Sequence, residues 1–206
     1  MTNPDHAVTD PAADAVPARD FTATSLRTER LILRPWREQD IDAITEACQD
    51  PETQRYVPIP VPYSRPHAEA YVRESSPKGR AAGTDIVFGA FLAETGEMVA
   101  AVGLHRIEDL GAPHGGMGEI GYWTAPHARG RGYMTEAVRE VCRWGFQVLG
   151  LARIEWVALA GNEASWRVVE KLGFTREGTL RARLVQRGVR RDGWVGSLLR
   201  SEVRFD

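Results

Sequence analysis

Residues 119–134 read EIGYWTAPHARGRGYM. Residues 119–124 are typical of a strand, and the residues after 131 carry apolar side chains at helical spacing. A glycine-bearing loop that leads from a strand into a helix presents unpaired N–H groups at the positive end of the helix dipole, which favours anion binding. Arg129 and Arg131 add positive charge. The stretch lacks the lysine of a P-loop and the third glycine of a dinucleotide fingerprint, and Gly-Arg-Gly also occurs in surface turns.

A second informative stretch follows at residues 162–174, which read NEASWRVVEKLGF. Asn162 is a favourable N-cap and Gly173 a favourable stop for a helix between them. The longer helix predicted over residues 131–149 places its apolar side chains on one face: Met134, Ala137, Val138, Val141, Cys142, Gly145 and Leu149. Cys48 falls on a similar apolar face, so neither cysteine is expected to be a nucleophile.

The remaining segments predict a mixed α/β domain. We expect strands at 31–33, 85–93, 98–107, 119–124 and 154–159, helices at 38–49, 64–74, 131–149 and 162–172, a Pro-rich loop at 57–66 and a closing hairpin from residue 174 around 188–193. The residues Ser75, Ser76, Pro77 and Gly79 should end the second helix. Some strand pairs are hairpins, and one helix connects strands that are candidates for a parallel pair.

Length and composition fit one globular domain, with 206 residues of which 43% are hydrophobic and 26% charged. Residues 1–24 differ, because four aspartates against Arg19 give this stretch a net charge of −3. We expect a disordered acidic tail over residues 1–24, with a pro-segment or a partner-binding arm as alternatives, and a single domain over residues 25–206.

Several classes of protein are excluded by the same composition. No apolar run approaches the ~20 residues that span a membrane, no secretory signal is visible, and two cysteines are too few for a disulfide scaffold. We therefore expect a cytoplasmic protein. The formal net charge of −2 argues against bulk binding of nucleic acid. His105, His114 and His127 form no metal-ligand pattern, so no metal is expected.

The chain resembles the GNAT superfamily of acyl-CoA-dependent N-acyltransferases, and within it the RimJ/RimL branch. Three motifs in order carry the resemblance: residues 28–36 (TERLILRPW), residues 119–123 (EIGYW) and residues 162–174. The resemblance implies a mixed, mostly antiparallel central sheet with splayed middle strands, flanked by helices. The splayed strands would hold residues 122–124 and 154–159, and the pantetheine arm of acetyl-CoA would lie between them.

Site residues follow from the same resemblance. The family's pyrophosphate loop reads Arg/Gln-x-x-Gly-x-Gly/Ala, which Arg129 and Gly132 match and Met134 does not. The implied cofactor-binding residues are Tyr122, Trp123, Thr124, Arg129, Gly130, Arg131, Gly132, Tyr133, Met134 and Asn162. Glu119 matches the branch's general base. Ser165 would serve the leaving thiolate, because the position that many relatives fill with tyrosine is Val169 here.

The function that the resemblance implies is transfer of an acetyl group from acetyl-CoA to a primary amine by direct attack in a ternary complex. We favour a protein N-terminal α-amine and expect the Pro-rich loop and six hairpin arginines to form the walls of its site: Arg176, Arg181, Arg183, Arg187, Arg190 and Arg191. Such arginines suit an acidic acceptor. Alternatives are a small-molecule amine, a longer acyl donor or a non-catalytic acyl-CoA-binding module. A homodimer is possible, and nucleic-acid binding through these arginines is disfavoured because aromatic residues are not interleaved with them.

Overall fold

The computed structural model describes residues 21–203 and contains one eight-stranded sheet in the order β1-β2-β3-β4-β5-β6-β8-β7. The strands are β1 Leu26–Arg27, β2 Leu31–Arg34, β3 Ile86–Leu92, β4 Met98–Glu108, β5 Gly116–Thr124, β6 Leu151–Leu159, β7 Thr175–Gln186 and β8 Val189–Leu199. Every neighbouring pair is antiparallel except β5 and β6, which are parallel. The mixed, mostly antiparallel sheet was predicted and is confirmed.

Helices cover both faces of the sheet. They are α1 Ile41–Gln49, α2 Pro51–Tyr56, α3 Arg65–Ala70, α4 Ser76–Ala82, α5 Tyr133–Trp144 and α6 Glu163–Glu170, with π turns at Tyr71–Ser75 and Gly145–Leu149 and 3-10 turns at Glu38–Asp40, Pro126–Ala128 and Arg200–Glu202. Alternate residues of β4 pack in two different hydrophobic clusters, one on each face of the sheet. Ala101 packs with α1 and α3, whereas Ala100 and Val102 pack with α5. Burial on both faces explains the nearly continuous apolar runs of β3 and β4.

The two middle strands separate along their length. β5 pairs with β6 only from Gly116↔Leu151 to Glu119↔Glu155. Beyond Glu119, β5 keeps its partner β4 as far as Thr124, and β6 keeps β8 as far as Leu159. The strands therefore splay at the predicted place and leave the facing backbone edges of both strands without a strand partner.

The predicted end of the second helix at residues 75–79 is wrong. The helix continues through the π turn Tyr71–Ser75 into α4 and stops at Gly83, whose φ is +70°. The π turn places Pro77 in the first turn of a new α-helical segment, where a missing N–H breaks no bond. Gly79 allows close packing, because a Cβ there would lie 2.8 Å from the Cβ of Asp85. Sequence reasoning also missed α2, whose N-cap Asp50 accepts from the Thr53 N–H at 2.8 Å.

The predicted boundary of the tail also needs correction. Phe21 is buried and packs edge-to-face on Trp144, with 5.8 Å between the ring centroids. The buried Arg80 donates to the carbonyls of Phe21 and Thr24, so residues 21–24 belong to the domain. Residues 1–20 of the predicted tail lie outside the described residues. Within residues 21–203, no helix combines the length and apolar character needed to cross a membrane.

Candidate active site

A cavity of about 1280 Å³ opens where β5 and β6 separate. Every residue that the resemblance assigned to catalysis or to cofactor binding lines this cavity except Arg131. Helix α2 and the loop that follows it form one side of the cavity, and the beginnings of α5 and α6 form another. The fold therefore brings the motifs at residues 119–134 and 162–174 together at this cavity, whereas no residue of the motif at 28–36 lines it.

The loop before α5 has the geometry of an anion site. Gly130 and Gly132 take positive φ values of +75° and +80°, and Gly132 is the residue that precedes the first turn of α5. Among the described residues, no acceptor receives a hydrogen bond from the main-chain N–H groups of residues 130–134. Met134, which departs from the family's motif, turns its side chain into the core and is 6% exposed. Met134 also lines the cavity.

The two arginines of this loop, Arg129 and Arg131, differ in their position relative to the cavity. Arg129 pairs with Asp50 and donates to Thr53 at 3.1 Å, which ties the loop to the start of α2. The hydrogen bond from Arg129 holds the pKa of Asp50 below its ordinary value. Arg131 does not line the cavity. Arg30, which sequence reasoning missed, would lie 3.5 Å from a Cβ at Gly132, and its guanidinium sits 4.7 Å from the Tyr133 ring centroid.

Ser165 lies in a chain of hydrogen bonds between the splayed strands. The Trp156 N–H donates to Ser165 Oγ at 2.9 Å, Ser165 Oγ donates to Tyr122 Oη at 3.0 Å, and Tyr122 donates to the Ser165 carbonyl at 2.8 Å. Burial raises the pKa of Tyr122 well above its ordinary value, so the phenol stays protonated. The helix cap is supplied by Asn162, whose Oδ1 accepts from the Ser165 N–H at 3.2 Å. The hydroxyl of Ser165 is therefore not used as a cap.

Glu119 lies beside three other ionisable groups. Its carboxylate pairs with Arg106, whose φ of +48° is unusual for a residue other than glycine. Glu119 is directly opposite His105 in the antiparallel pair of β4 and β5. His105 Nδ1 lies 3.1 Å from Asp85 Oδ1. Burial lowers the pKa of His105, although the neighbouring Asp85 acts in the opposite direction.

The walls on the acceptor side are only partly as expected. Five residues of the Pro-rich loop line the cavity: Val57, Pro58, Ile59, Pro60 and Tyr63. The hairpin contributes Leu184, Val185 and Gln186, and none of its six arginines lines the cavity, so that part of the prediction is wrong. Arg176 instead packs on the rings of Trp166 and Trp194, at 4.5 and 4.1 Å.

Three of the hairpin arginines lie around a second cavity of about 880 Å³. Arg187, Arg190 and Arg191 line it together with Arg55 of α2. Arg187 donates to the Gln54 carbonyl at 2.6 Å, which holds the hairpin tip against α2. The two cavities share the residues Tyr56, Leu159 and Gln186 as walls.

Neither cysteine is suited to covalent catalysis. Cys48 and Cys142 are both buried, and burial raises the pKa of each thiol to about 12. Both therefore stay protonated near neutral pH, and a protonated thiol is a poor nucleophile. Among residues 21–203, no three His, Cys, Asp or Glu side chains are grouped as metal ligands.

The chain is similar to known acetyltransferases. Residues 30–175 match the family model described as acetyltransferase (GNAT) domain. The chain is 32% identical over 175 residues to the uncharacterised N-acetyltransferase YoaA of Bacillus subtilis (strain 168), an alignment that covers 85% of this chain and 96% of YoaA.

Solved structures agree on the fold. Mycobacterium smegmatis RimJ in complex with a CoA disulfide superposes with a TM-score of 0.76 at 23% identity, over 89% of this chain and 90% of RimJ. RimL, a ribosomal L7/L12 alpha-N-protein acetyltransferase in complex with coenzyme A, gives 0.76 at 18% identity, over 87% and 100% of the two chains.

Proposed function

The chain belongs to the GNAT acetyltransferase family, and we propose that it acetylates the α-amine of a protein or peptide N-terminus that is followed by acidic residues. Transfer of an acetyl group by an acyltransferase is the activity of this family, and acetyl-CoA is its donor. The single observation that carries the choice of acceptor is the arginine-lined second cavity, which adjoins the main one.

The main cavity fits acetyl-CoA. The N–H groups of residues 130–134 would hold the pyrophosphate at the positive end of α5. The facing edges of β5 and β6 beyond Glu119 offer backbone donors and acceptors to the pantetheine amides, as they would to an added strand. The donor would then reach the sheet with its thioester near Glu119 and Ser165.

Among the described residues, Arg55 is the one arginine of the second cavity that pairs with a carboxylate, that of Glu52 at 3.7 Å. Arg187 and Arg190 donate to backbone carbonyls, and neither they nor Arg191 pair with a carboxylate there. Asp192 is the cavity's one acid among the residues that line it, and its carboxylate accepts from the Ala182 N–H. Such a site attracts carboxylates and repels polyamines and aminoglycosides. A peptide with its amine in the main cavity would pass its next residues towards these arginines.

We propose that Glu119 acts on the acceptor amine and that Ser165 acts on the leaving thiolate. The acceptor ammonium loses a proton at Glu119, directly or through a water molecule, and the free amine attacks the thioester carbon. As the C–N bond forms and the C–S bond breaks, the second proton of the amine nitrogen ends on the CoA sulfur, and the departing thiolate needs a hydrogen-bond donor. Ser165 supplies it by turning its O–H from Tyr122 towards the sulfur, while the Trp156 N–H holds the oxygen in place.

An N-terminal amine loses its proton more easily than a lysine side chain does. Its pKa is ~7.7–8.0, against ~10.4 for a lysine side chain, so a useful fraction is already neutral near physiological pH. A weak base beside the amine therefore suffices for this acceptor.

The test is thiol release from acetyl-CoA with matched peptides. One peptide carries glutamates after its N-terminal residue, the other glutamines, and spermidine and kanamycin are tested in parallel. We expect a lower KM for the acidic peptide, and the triple variant Arg187→Gln, Arg190→Gln, Arg191→Gln should remove that preference. Arg181→Gln with Arg183→Gln is the control, because these residues lie on the same hairpin but line neither cavity. Acetylation of spermidine or kanamycin, with none of either peptide, would overturn the proposal.

A further inference from the structure

Asp85, His105 and Glu119 form a row across the sheet, with the imidazole between the two carboxylates. His105 of β4 is directly opposite Glu119 of β5, so both side chains lie on the same face. Asp85 immediately precedes β3 and contacts His105 from the other side, with 3.1 Å between Oδ1 and Nδ1. All three residues line the main cavity. The row therefore reaches from the proposed base towards the opposite side of the cavity.

The free edge of the imidazole faces β5. A Cβ at Gly121 would lie 2.9 Å from Cδ2 and 3.0 Å from Nε2 of His105, so only glycine leaves room for the ring in this position. Because Nδ1 lies against the Asp85 carboxylate, it carries the proton of the neutral ring and leaves Nε2 as an acceptor. No described residue bonds to that Nε2, and Gly121 itself lines the cavity.

Glu119 by itself binds a proton weakly. Its carboxylate is paired with Arg106, and a carboxylate beside a guanidinium favours its charged form. Arg106 reaches it from a left-handed backbone conformation at the irregular end of β4, where the register with β5 shifts between His105 and Glu108. Backbone strain of this kind is retained where the surrounding structure requires it, and such places are often functional.

We propose that His105, oriented by Asp85, is the group on which the proton of the acceptor amine comes to rest. This inference rests on the proposed function and adds a second step to its proton path. The ammonium gives its proton to the Glu119 carboxylate, and Glu119 passes it through a water molecule to Nε2 of His105. The resulting imidazolium is stabilised by Asp85, the neutral amine attacks the thioester, and the imidazolium later returns its proton to solvent.

The relative basicities favour this direction. An ordinary imidazole has a pKa of about 6.5 and an ordinary glutamate about 4.3, so unperturbed groups favour the imidazole by roughly 100-fold. Burial lowers the pKa of His105 and so reduces this preference. The charged groups that face His105 are Asp85 from the β3 side, Glu119 from β5 and Arg106 from its own strand. Tyr71, which also lines the cavity, stays neutral because burial raises its pKa to about 12.

The closing experiment combines a pH profile with NMR of the imidazole. In His105→Gln we expect kcat to fall about 100-fold and the acid limb of kcat/KM to flatten, as for loss of a proton acceptor. In Asp85→Asn the acid limb should move to lower pH, because Asp85 raises the pKa of His105. His114→Gln is the matched control, since His114 also pairs with an aspartate, Asp109, but lies outside the cavity.

NMR separates this inference from the proposed function. The wild-type protein should show His105 with its proton on Nδ1 at pH 8 and a titration midpoint below about 6.5. A proton on Nε2, or an unchanged acid limb in both His105→Gln and Asp85→Asn, would overturn the relay whatever the acceptor is. Acetylation that prefers a different amine, with the His105 titration and pH effects intact, would overturn only the choice of acceptor. If His105→Gln does not fold, Asp85→Asn and the titration decide the matter.

Discussion

Replacing Ser165 by alanine separates its chemical from its structural role. The change removes the acceptor of the Trp156 N–H, which belongs to a side chain only 1% exposed. A buried donor left without a partner costs about 1–3 kcal/mol. A protein of this size loses roughly 2–4 °C of melting temperature per kcal/mol. We therefore expect Ser165→Ala to melt roughly 2–12 °C lower than the wild type.

The kinetic effect should be independent of that loss. If Ser165 donates to the leaving thiolate, kcat falls by about 100-fold while KM for acetyl-CoA hardly changes. Tyr122→Phe is the companion variant, because it removes the group that now takes the Ser165 proton and leaves the serine hydroxyl in place. It should keep most of kcat. The assay is thiol release at a temperature where all variants are folded by circular dichroism.

Two results would exclude Ser165 as the hydrogen-bond donor to the thiolate. Normal turnover in a Ser165→Ala protein that melts early would make the serine structural. A large loss of kcat in Tyr122→Phe, with Ser165→Ala unaffected, would assign the donor to the tyrosine.

Three further predictions concern the loop, the base and the acid stability. Gly132→Val should abolish or strongly weaken CoA binding in calorimetry, since a β-branched residue tolerates the φ of +80° poorly; unchanged binding would contradict the assignment of this loop to the pyrophosphate. Glu119→Gln should lower kcat about 100-fold and flatten the acid limb, whereas wild-type rates at every pH would exclude the glutamate as a base. The hydrogen bond from Arg153 lowers the pKa of Glu177 from 4.5 to about 2, so its stabilisation is present above pH 4.5 and is lost as the pH falls towards 2; Glu177→Gln should reduce the pH dependence of the melting temperature in that range, and an unchanged dependence would contradict the pairing.

Local signals in the sequence were sufficient to predict the structure of the segments that we propose bind the donor. The cap at Asn162 and the glycines before α5 each have one conformational reason, and each is found where it was predicted. Burial of Met134 likewise follows from its place on the apolar face of α5. The splayed strands came from the family resemblance.

The pairing register of the strands could not be predicted from the sequence. Asp85 and His105 are 20 positions apart and meet only because β3 and β4 pair with one particular register. The six arginines were misplaced for a related reason. β7 has register shifts at Arg176/Gly178 and Leu180/Leu184, and each shift interrupts the alternation that assigns side chains to a face. The predicted cytoplasmic location and homodimer stay predictions.

We propose that the acetyl group goes to an N-terminal α-amine. A synthetic peptide with a free N-terminus, two glutamates and one internal lysine tests it most directly, by fragment mass spectrometry after incubation with the protein and acetyl-CoA. We expect acetyl on the α-amine and none on the lysine, whose pKa of ~10.4 keeps it protonated. Acetylation of the lysine with the α-amine left free would contradict it.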